Sequence, residues 1–512
     1  MQYPIWDVTI GGGMLMAIVA ITHVIVAHFA IGGGLVIAVS ETLSVRRGDR
    51  DLRDLAKRSS LMLILVSTVF GAISGVGIWV VAGLISPGAI SDLIHTYVWG
   101  WAIEWTFFVV EIVAALVYYT TWGKISKGAH LMVGWIYFVA AYLSLVVING
   151  IITFMLTPGR WLETGQFWDG FFNPTYWPSL LLRTGLCAMM ATAFMMFAVQ
   201  RAAADARPRL IRYLGWWMVG GALVSYAGYR WWEASLPESV LALFRGDAPL
   251  LESLAATRSL TLWALAAALV LAAVLFVAVP RAGRTATAIV VAIAAFAFFG
   301  GYERLREGVR KPFLIHSHMF SNGLKVADIE TVNAEGMVAH SGWVAARAGD
   351  GAIGIGEQIF RTQCASCHTL DGYQGIRSAL PTVADMLAVA DADTAAAAFA
   401  AECAACHRDD FTADDVGGML PSVDDIRADP EMIRDLNHGM ITATLARLRD
   451  LGDFYVDADR TTMIPTHEAD IPYMPPFVGT DEDLEALASY LASLDAPPGA
   501  PGDRVAELGG ER

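Results

Sequence analysis

The chain has 512 residues, of which 55% are hydrophobic and 17% are charged. This composition fits an integral membrane protein better than a soluble one, and the length allows for about two or three domains. The formal net charge of −15 comes largely from the C-terminal part. An acidic soluble domain argues against nucleic-acid binding and suits a basic or neutral protein partner.

Eight apolar runs are long enough to cross a bilayer as helices. They lie at about 10–40, 60–86, 97–122, 129–157, 178–200, 211–232, 258–280 and 285–302. The first run is too long for the apolar part of a signal peptide and has no basic segment before it, so we interpret it as a retained helix. The sequence therefore predicts an all-α fold with an eight-helix transmembrane bundle over residues 1–302.

Basic residues mark alternate loops of this bundle, namely those after the first, third, fifth and seventh runs. They are Arg46, Arg47, Arg50, Arg53, Lys57, Arg58, Lys124, Lys127, Arg201, Arg207, Arg209, Arg212, Arg281 and Arg284. Because positively charged loops stay in the cytoplasm, the N-terminus and the C-terminal part are both expected outside. The predicted location is the bacterial cytoplasmic membrane, with the C-terminal domain in the periplasm.

A C-x-x-C-H motif occurs twice after the bundle. The two copies are Cys364-Ala365-Ser366-Cys367-His368 and Cys403-Ala404-Ala405-Cys406-His407. Each is preceded by a phenylalanine four residues before its first cysteine, Phe360 or Phe399, which falls on the same helical face. The motif is typical of covalent haem c, whose iron takes the histidine as its proximal ligand. A zinc half-site or a redox dithiol is the alternative. The fifth cysteine, Cys187, lies in an apolar run and is interpreted as a core residue.

We divide the rest of the chain into a connector over residues 303–355, a dihaem cytochrome c domain over 356–495, and a Pro- and Gly-rich tail over 496–512 that we expect to be disordered. Tyr473-Met474-Pro475-Pro476-Phe477 is similar to the methionine loop of class I cytochromes c, so Met474 is the predicted distal ligand of one haem, with a slight preference for the first. The other haem has five candidate distal ligands: Met419, His438, Met440, Met463 and His467. The connector histidines His316, His318 and His340 are expected to be solvated or capping residues.

Ionisable residues inside apolar runs are candidates for function because burial in a bilayer is costly. His23 and His28 are five residues apart on the first run and cannot share a helix face. Glu104 and Glu111 are seven residues apart, so both acids lie on one face. They form either a buried hydrogen-bonded pair or a haem-facing acid with a proton-relay acid. His130, near the start of the fourth run, is as compatible with an interfacial position as with a ligand role.

Residues spread over the first four runs share the spacing of a known family. They are His23-Val24-Ile25-Val26, Ile31-Gly32, Ser40-Glu41-Thr42, Phe107-Phe108, Glu111, Trp122, Lys127, His130, Trp135, Leu143-Ser144, Met155 and Pro158. In these residues the chain resembles subunit I of the cytochrome bd quinol oxidases, mainly over residues 10–200. The resemblance implies that His23 binds a high-spin haem, that Glu111 belongs to a proton pathway, and that a second membrane subunit is present.

The chain also departs from that family. Glu104 precedes Glu111 by seven residues where the family has eight, which leaves a ligand role for Glu104 open. Arg183-Thr184 stands where the family has His-Thr, and the seventh run has neither Met nor His. Because arginine stays protonated, it does not bind iron as a neutral base. We therefore expect the family's low-spin haem to be absent. The outer loop that binds quinol in the family is also reduced here, to about residues 230–258.

These features lead to one functional hypothesis and two alternatives. The leading hypothesis is an oxidoreductase that passes electrons from two haem c groups to one or two membrane haems of b or d type, where oxygen or a similar small molecule is reduced. The electron donor would be a periplasmic cytochrome or another redox protein, with quinol as a further candidate. The alternatives are a quinol–cytochrome electron-transfer module without oxygen chemistry, and a membrane anchor for the c domain.

Overall fold

A computed structural model describes residues 5–6, 8–242, 249–342, 344, 351–371, 375–376, 429–456 and 474–494. The chain divides into two compact units. Met14–Val326 forms most of the larger unit, and the described residues of Ala327–Asp457 and Pro475–Arg512 belong to the smaller one. Each unit is described separately below.

The larger unit is a bundle of long helices. In chain order they are α1 (Gly12–Arg47), α2 (Arg50–Leu63), α3 (Ala72–Ile85), α4 (Pro87–Thr96), α5 (Val98–Thr120), α6 (Lys127–Phe154), α7 (Trp161–Thr164), α8 (Phe167–Phe171), α9 (Tyr176–Val199), α10 (Arg207–Ala234), α11 (Glu238–Ala242), α12 (Pro249–Ala272) and α13 (Thr285–Gly308). A π-helical segment, Ile64–Gly71, joins α2 to α3, and a second, Ala273–Ala278, continues α12. A short 3₁₀ turn, Pro280–Ala282, precedes α13.

Seven of the eight predicted spans are confirmed as helices long and apolar enough to cross a membrane within the described residues. The eighth, α10, forms a continuous helix but is not among them. Its glycines, tyrosines and tryptophans lower its mean hydropathy, and Arg207, Arg209, Arg212 and Arg230 add charge. The number of crossings, and with it the orientation of both termini, therefore stays a prediction.

Side-chain exposure in the bundle follows a membrane pattern. The span from α2 to α3 presents large apolar side chains outward: Leu65, Phe70, Ile73, Val76 and Trp79. By contrast, α9 is buried along most of its length. Close helix crossings depend on small residues: a Cβ atom on Gly32 would lie 1.8 Å from the carbonyl oxygen of Cys187, and one on Gly228 would lie 2.4 Å from the backbone nitrogen of Leu182. Cys187 is a core residue, as predicted, with 4% exposure.

The last helix of the bundle is longer than its apolar run. We expected it to end at residue 302, but α13 continues to Gly308. The additional turn carries Glu303 and Arg306, whose side chains are buried and joined by a 3.0 Å ion pair. Pairing allows these charged residues to stay inside the helix, so the loss of hydrophobicity after Tyr302 does not mark its end.

The predicted connector contains regular structure. A two-stranded antiparallel hairpin is formed by β1 (Phe313–Ile315) and β2 (Met319–Phe320), a local exception in a mostly helical chain. A 3₁₀ turn, Val326–Asp328, follows, and then α14 (Ile329–Glu335) and α15 (Met337–His340).

The smaller unit continues with α16 (Gly351–Gln363), α17 (Pro430–Val456) and α18 (Asp481–Ser493). A capping box begins α18, with Thr480 Oγ1 accepting from the backbone N–H of Asp483 and the Asp483 carboxylate accepting from that of Thr480. The same carboxylate accepts from the backbone N–H of Met337 at 2.7 Å, which attaches α15 to the start of α18.

Candidate functional site

His23 on α1 is held in an orientation suited to binding iron. Its Nδ1 atom is 3.2 Å from the carbonyl oxygen of Gly71 and 3.2 Å from Oγ of Ser74. Because a carbonyl oxygen only accepts hydrogen bonds, Nδ1 carries the proton, and the free electron pair of the neutral ring lies on Nε2. A histidine ligand is commonly oriented through its other ring nitrogen in this way. The residues around His23 therefore fit a haem bound through Nε2.

The partners of His23 belong to the irregular part of the second span. Gly71 ends the π-helical segment, a local conformation that is frequent at functional sites. A Cβ atom on Gly75 would lie 3.1 Å from the His23 ring, so this position favours the absence of a side chain. These partners could not be predicted from the sequence, because a π-helical turn changes which residues of the second span face α1.

The two acids of α5 contact the same neighbouring helix. Oε1 of Glu104 accepts a 2.8 Å hydrogen bond from Ser144 on α6, and Oε1 of Glu111 accepts a 3.1 Å bond from the hydroxyl of Tyr137, also on α6. The expectation that both acids share one helix face is therefore met. Each has a protein partner of its own, so they do not form a carboxyl pair with each other through these bonds.

His28 faces a different part of the bundle. Its Nδ1 atom contacts the carbonyl oxygen of Val24 at 2.7 Å, and its Nε2 atom lies 3.5 Å from Nη1 of Arg183 on α9. Phe299 of α13 packs edge-on against the ring. Because a guanidinium only donates, it occupies the electron pair that an iron ligand would need. His28 therefore does not fit a ligand role in this arrangement.

Arg183 begins a chain of ion pairs that continues along α13 and just beyond its end. Its Nη2 atom contacts Glu303 Oε1 at 2.8 Å, and the other carboxylate oxygen of Glu303 accepts from Nε of Arg306 at 3.0 Å. Arg306 then pairs with Glu307 at 2.6 Å, and Glu307 pairs with Arg310. We call Arg183, Glu303, Arg306, Glu307 and Arg310 the ion chain; positive and negative residues alternate along it.

The ion chain does not fit the low-spin haem of the family that this chain resembles in sequence. That haem needs two neutral bases facing each other, whereas Arg183 is a cation with 1% exposure whose guanidinium is bound to Glu303 and stands over the ring of Tyr302. The sequence predicted the loss of the ligand at Arg183 but not its partner, since Glu303 lies beyond the apolar run that ends at residue 302.

The first C-x-x-C-H motif forms a tight turn at the end of α16. The backbone N–H of Cys367 donates to the carbonyl of Cys364 at 3.0 Å, and that of His368 donates to the same carbonyl at 2.9 Å. The thiols of Cys364 and Cys367 are free and not joined by a disulfide. Burial, with a smaller contribution from Cys367, raises the pKa of Cys364 to about 12. Two free thiols on one turn with a histidine next to them fit the covalent attachment of haem c.

The segment after Met474 is anchored to this motif. Gln363, the residue before Cys364, donates through Nε2 to the carbonyl of Val478 at 2.6 Å and accepts from the Val478 N–H at 3.1 Å. The N–H of Phe477 donates to the carbonyl of Leu448 on α17 at 3.1 Å. A buried glutamine thus ties the stretch following Met474 to the start of the first haem motif.

The other predicted site residues divide into two groups. Cys403, Cys406, His407, Met419, Met463 and His467 lie outside the described residues. His438 and Met440 lie on α17, where Nε2 of His438 contacts Oε1 of Glu485 on α18 at 3.0 Å. Ligation of iron through this nitrogen would require the contact with Glu485 to break. Among the described residues, no group of three or more His, Cys, Asp or Glu could hold a metal ion by itself.

Two connector histidines have roles more specific than solvation. Nε2 of His318 contacts Asp92 at 3.1 Å, and Lys325 contacts the same carboxylate at 2.5 Å, which attaches the hairpin to α4. Burial opposes ionisation of Asp92, but the hydrogen bonds from His318 and Lys325 outweigh it and lower its pKa. The backbone N–H of His316 donates to the carbonyl of Met155 at the end of α6. His340 contacts Glu335 and is consistent with a surface position.

Comparison with known proteins finds similarity for both parts of the chain. Residues 13–214 match the family model of the cytochrome bd terminal oxidase subunit I, and residues 390–491 match that of the cbb3-type cytochrome c oxidase subunit III. The second match includes the second haem motif and Met474 but not the first motif. Among solved structures, the chain is similar to the bd oxidase from Geobacillus thermodenitrificans, at 15% identity and a TM-score of 0.50, covering 59% of this chain and 88% of that one. No curated protein matches.

The chain therefore combines a membrane domain like cytochrome bd subunit I with a cytochrome c domain. Its membrane helices form a bundle with the bd oxidase fold. Together these findings make it a haem-binding membrane protein of respiratory electron transport.

Proposed function

We propose that this protein passes electrons from its c haems to a haem bound by His23, and that oxygen or a similar small acceptor is reduced there. The observation that carries the proposal is the orientation of His23, whose Nδ1–H is bound to Gly71 and whose Nε2 is left as the base. Haem iron bound at this atom would supply the redox chemistry. A periplasmic cytochrome or another redox protein is the proposed donor, and a second membrane subunit is the proposed partner.

In this proposal the acids of α5 handle protons. Glu111 accepts a hydrogen bond from Tyr137 and Glu104 accepts one from Ser144, so both carboxyl groups can take up or release a proton without losing their partners. Glu111 is assigned to proton delivery, and Glu104 is assigned to the same proton pathway. Both residues lie on α5 within reach of α6, and neither depends on an exposed loop.

We further propose that the membrane part carries a high-spin haem of b or d type but no low-spin haem. The ion chain supports this, because Arg183 is paired with the buried carboxylate of Glu303 and its guanidinium also contacts Nε2 of His28. Electrons would then enter through the c domain. A bis-ligated low-spin b signal in purified protein with Arg183 intact would contradict this part of the proposal.

The c domain is proposed to carry two covalent haems, the first held by Cys364, Cys367 and His368 and the second by Cys403, Cys406 and His407. Met474 is assigned to the first haem. Support comes from Gln363, which binds both backbone polar groups of Val478 four residues beyond Met474. A thioether ligand favours reduced iron and gives a higher potential than a second histidine.

The experiment is a reduced-minus-oxidised spectrum of purified protein, with and without carbon monoxide, for the wild type and for His23→Ala. We expect the wild type to show a c signal and a CO-responsive membrane haem, and to consume oxygen with an artificial donor. His23→Ala should lose the CO response and the oxygen uptake but keep the c signal, since the covalent haems do not depend on α1.

His95→Ala is the matched control, because His95 is exposed on α4 and bonded only to Ser91 within its own helix. It should retain the full CO response. Oxygen uptake that survives His23→Ala would reject the assignment to this site. A c signal with no CO-responsive haem in the wild type would instead favour an electron-transfer module or a membrane anchor.

A further inference from the structure

A polar seam with seven-residue spacing runs between α5 and α6. On α5 its members are Glu104, Glu111 and Tyr118, and on α6 they are His130, Tyr137 and Ser144. Seven residues make about two helical turns and a rise of about 10 Å, so each series lies along one side of its helix. The sequence contained this spacing on both helices, but only the register between α5 and α6 reveals that the two series meet.

The seam consists of three successive contacts. The first pairs His130 with Tyr118, since Nε2 of His130 lies 2.9 Å from the carbonyl oxygen of Tyr118. The second and third are the Tyr137–Glu111 and Ser144–Glu104 hydrogen bonds. The seam begins near Lys127 and the end of α5 and leads about 20 Å into the membrane domain.

Glu41 of α1 completes the first contact. Its Oε1 atom lies 2.7 Å from Nδ1 of His130, and its Oε2 atom accepts a 2.7 Å hydrogen bond from the hydroxyl of Tyr118. All three residues are buried, with 4% exposure for Glu41 and 3% for His130. They lie at the ends of α1 and α5 and the start of α6, beside the predicted cytoplasmic residues Arg46, Arg47 and Lys127.

This geometry fixes one transferable proton. Nε2 of His130 must donate, because its partner is a carbonyl oxygen. The proton between Nδ1 and Oε1 then belongs either to an imidazolium facing a carboxylate or to a carboxylic acid facing a neutral imidazole. Both arrangements keep every hydrogen bond, so the Glu41–His130 pair can pass a proton without rearranging.

A small cavity lies beside the first two contacts of the seam. Tyr118 and Tyr137 both line it, together with Ser60, Gly34 and Gly134 among other residues. Both glycines make room for the rings: a Cβ atom on Gly34 would lie 2.4 Å from Tyr137, and one on Gly134 would lie 2.9 Å from Tyr118.

We infer that Glu41, His130 and Tyr118 form the proton inlet of the membrane domain, from which protons pass along the seam to Glu111 and Glu104. The inference rests on the proposed function, because reduction of one oxygen molecule to two waters consumes four electrons and four protons. The c-type donor supplies the electrons, and the seam supplies the protons. Glu41, His130 and Tyr118 act through Glu111 and are positioning and relay residues.

The test compares His130→Gln, Tyr118→Phe and Tyr137→Phe in the full-length purified protein. For each variant, the haem content, the rate of CO binding and the rate of reoxidation by oxygen in single-turnover flow experiments are measured in H₂O and in D₂O. Tyr142→Phe is the matched control: it removes a hydroxyl from the same helix, but that hydroxyl bonds to Thr184 on α9 and lies off the seam.

We expect wild-type haem content and CO binding in the seam variants, with reoxidation slowed about 10-fold or more and a larger ratio of the rates in H₂O and D₂O. Tyr142→Phe should match the wild type. Tyr118→Phe decides the matter because it removes a single oxygen atom and leaves the ring in its place. If Tyr118→Phe and His130→Gln are reoxidised at the wild-type rate, the proton inlet is rejected but the proposed function is not. If the wild-type protein does not respond to CO, the proposed function is rejected and the inlet with it.

Discussion

Gly356→Ala is expected to destabilise the c domain strongly, for a reason visible at one helix crossing. Gly356 lies on α16 where it meets α18, and a Cβ atom at this position would be 1.9 Å from the carbonyl oxygen of Ala486 and 2.8 Å from Cβ of Tyr490. An ordinary contact needs about 3.4 Å, so the two helices would have to separate by roughly 1.5 Å. That shift also opens the packing of Phe360 against Tyr490, whose ring centroids are 5.9 Å apart.

The expected cost is near the upper end of the range for overpacked cores, about 3 kcal/mol, because both colliding atoms belong to the backbone or lie next to it. At about 2–4 °C per kcal/mol for a domain of roughly 150 residues, the unfolding temperature of the c domain should fall by roughly 6–12 °C. The assay is thermal unfolding of the purified protein, followed through the absorbance of the c haems.

Gly439→Ala serves as the control for the same chemical change. Gly439 lies inside α17, and a Cβ atom there would meet nothing within 4 Å. Alanine should therefore stabilise this helix by about 0.5–1 kcal/mol through its higher helix propensity. If Gly356→Ala and Gly439→Ala shift the unfolding temperature equally, α16 and α18 do not cross at Gly356.

Three further predictions concern the ion chain, Met474 and Asp49. Glu303→Gln leaves Arg183 and Arg306 without their shared carboxylate and should lower the free energy of unfolding, measured in detergent, by about 3–5 kcal/mol. By contrast, Arg209→Leu breaks an exposed pair with Asp49 and Asp51 and should lower it by about 1 kcal/mol or less. In a Cys403→Ser/Cys406→Ser background, Met474→His should lower the midpoint potential of the remaining haem in a redox titration; an unchanged potential would assign Met474 to the second haem. Hydrogen bonds from Arg209 lower the pKa of Asp49. The Asp49 carboxylate also caps α2 by accepting from Leu52 N–H at 3.1 Å, which contributes about 1 kcal/mol to the free energy of unfolding. This contribution is complete above about pH 4 and is lost as the pH falls through the lowered pKa. Asp49→Asn should therefore flatten the acid side of the stability–pH curve; a curve of unchanged shape would contradict this reasoning.

Local sequence patterns predicted the helices well because hydrophobic length is a local property. The second span shows the limit of this reasoning. Its apolar run was evident, but the π-helical turn Ile64–Gly71 and the contact of Gly71 with His23 depend on how the span packs against α1. The seven-residue spacing of Glu104 and Glu111 likewise predicted a shared face. It did not predict Tyr137 and Ser144 as partners, because the register of two antiparallel helices is set by their whole interface.

Arg183 illustrates a related limit. The sequence showed that a ligand position was filled by a residue that cannot bind iron as a neutral base, and this followed from side-chain chemistry alone. What replaces the ligand could not be predicted, because Glu303 lies 120 residues further along the chain and beyond the end of the apolar run. A buried arginine requires a counter-ion, so the presence of Arg183 in an apolar helix was itself a signal that an acid must lie nearby.

The ion chain and the seam differ in the chemistry of their polar residues, and we assign them different purposes within one bundle. In the ion chain, arginines that stay protonated pair with carboxylates, and such pairs fix helices in place. In the seam, the partners are hydroxyls, an imidazole and carboxyl groups, all of which can gain or lose a proton at little cost in hydrogen bonds. Arginine belongs to every pair of the ion chain and to none of the seam contacts described here. This division between the two sets of residues is the physical reason for assigning proton transfer to the α5–α6 side of the bundle and a structural role to the α9–α13 side.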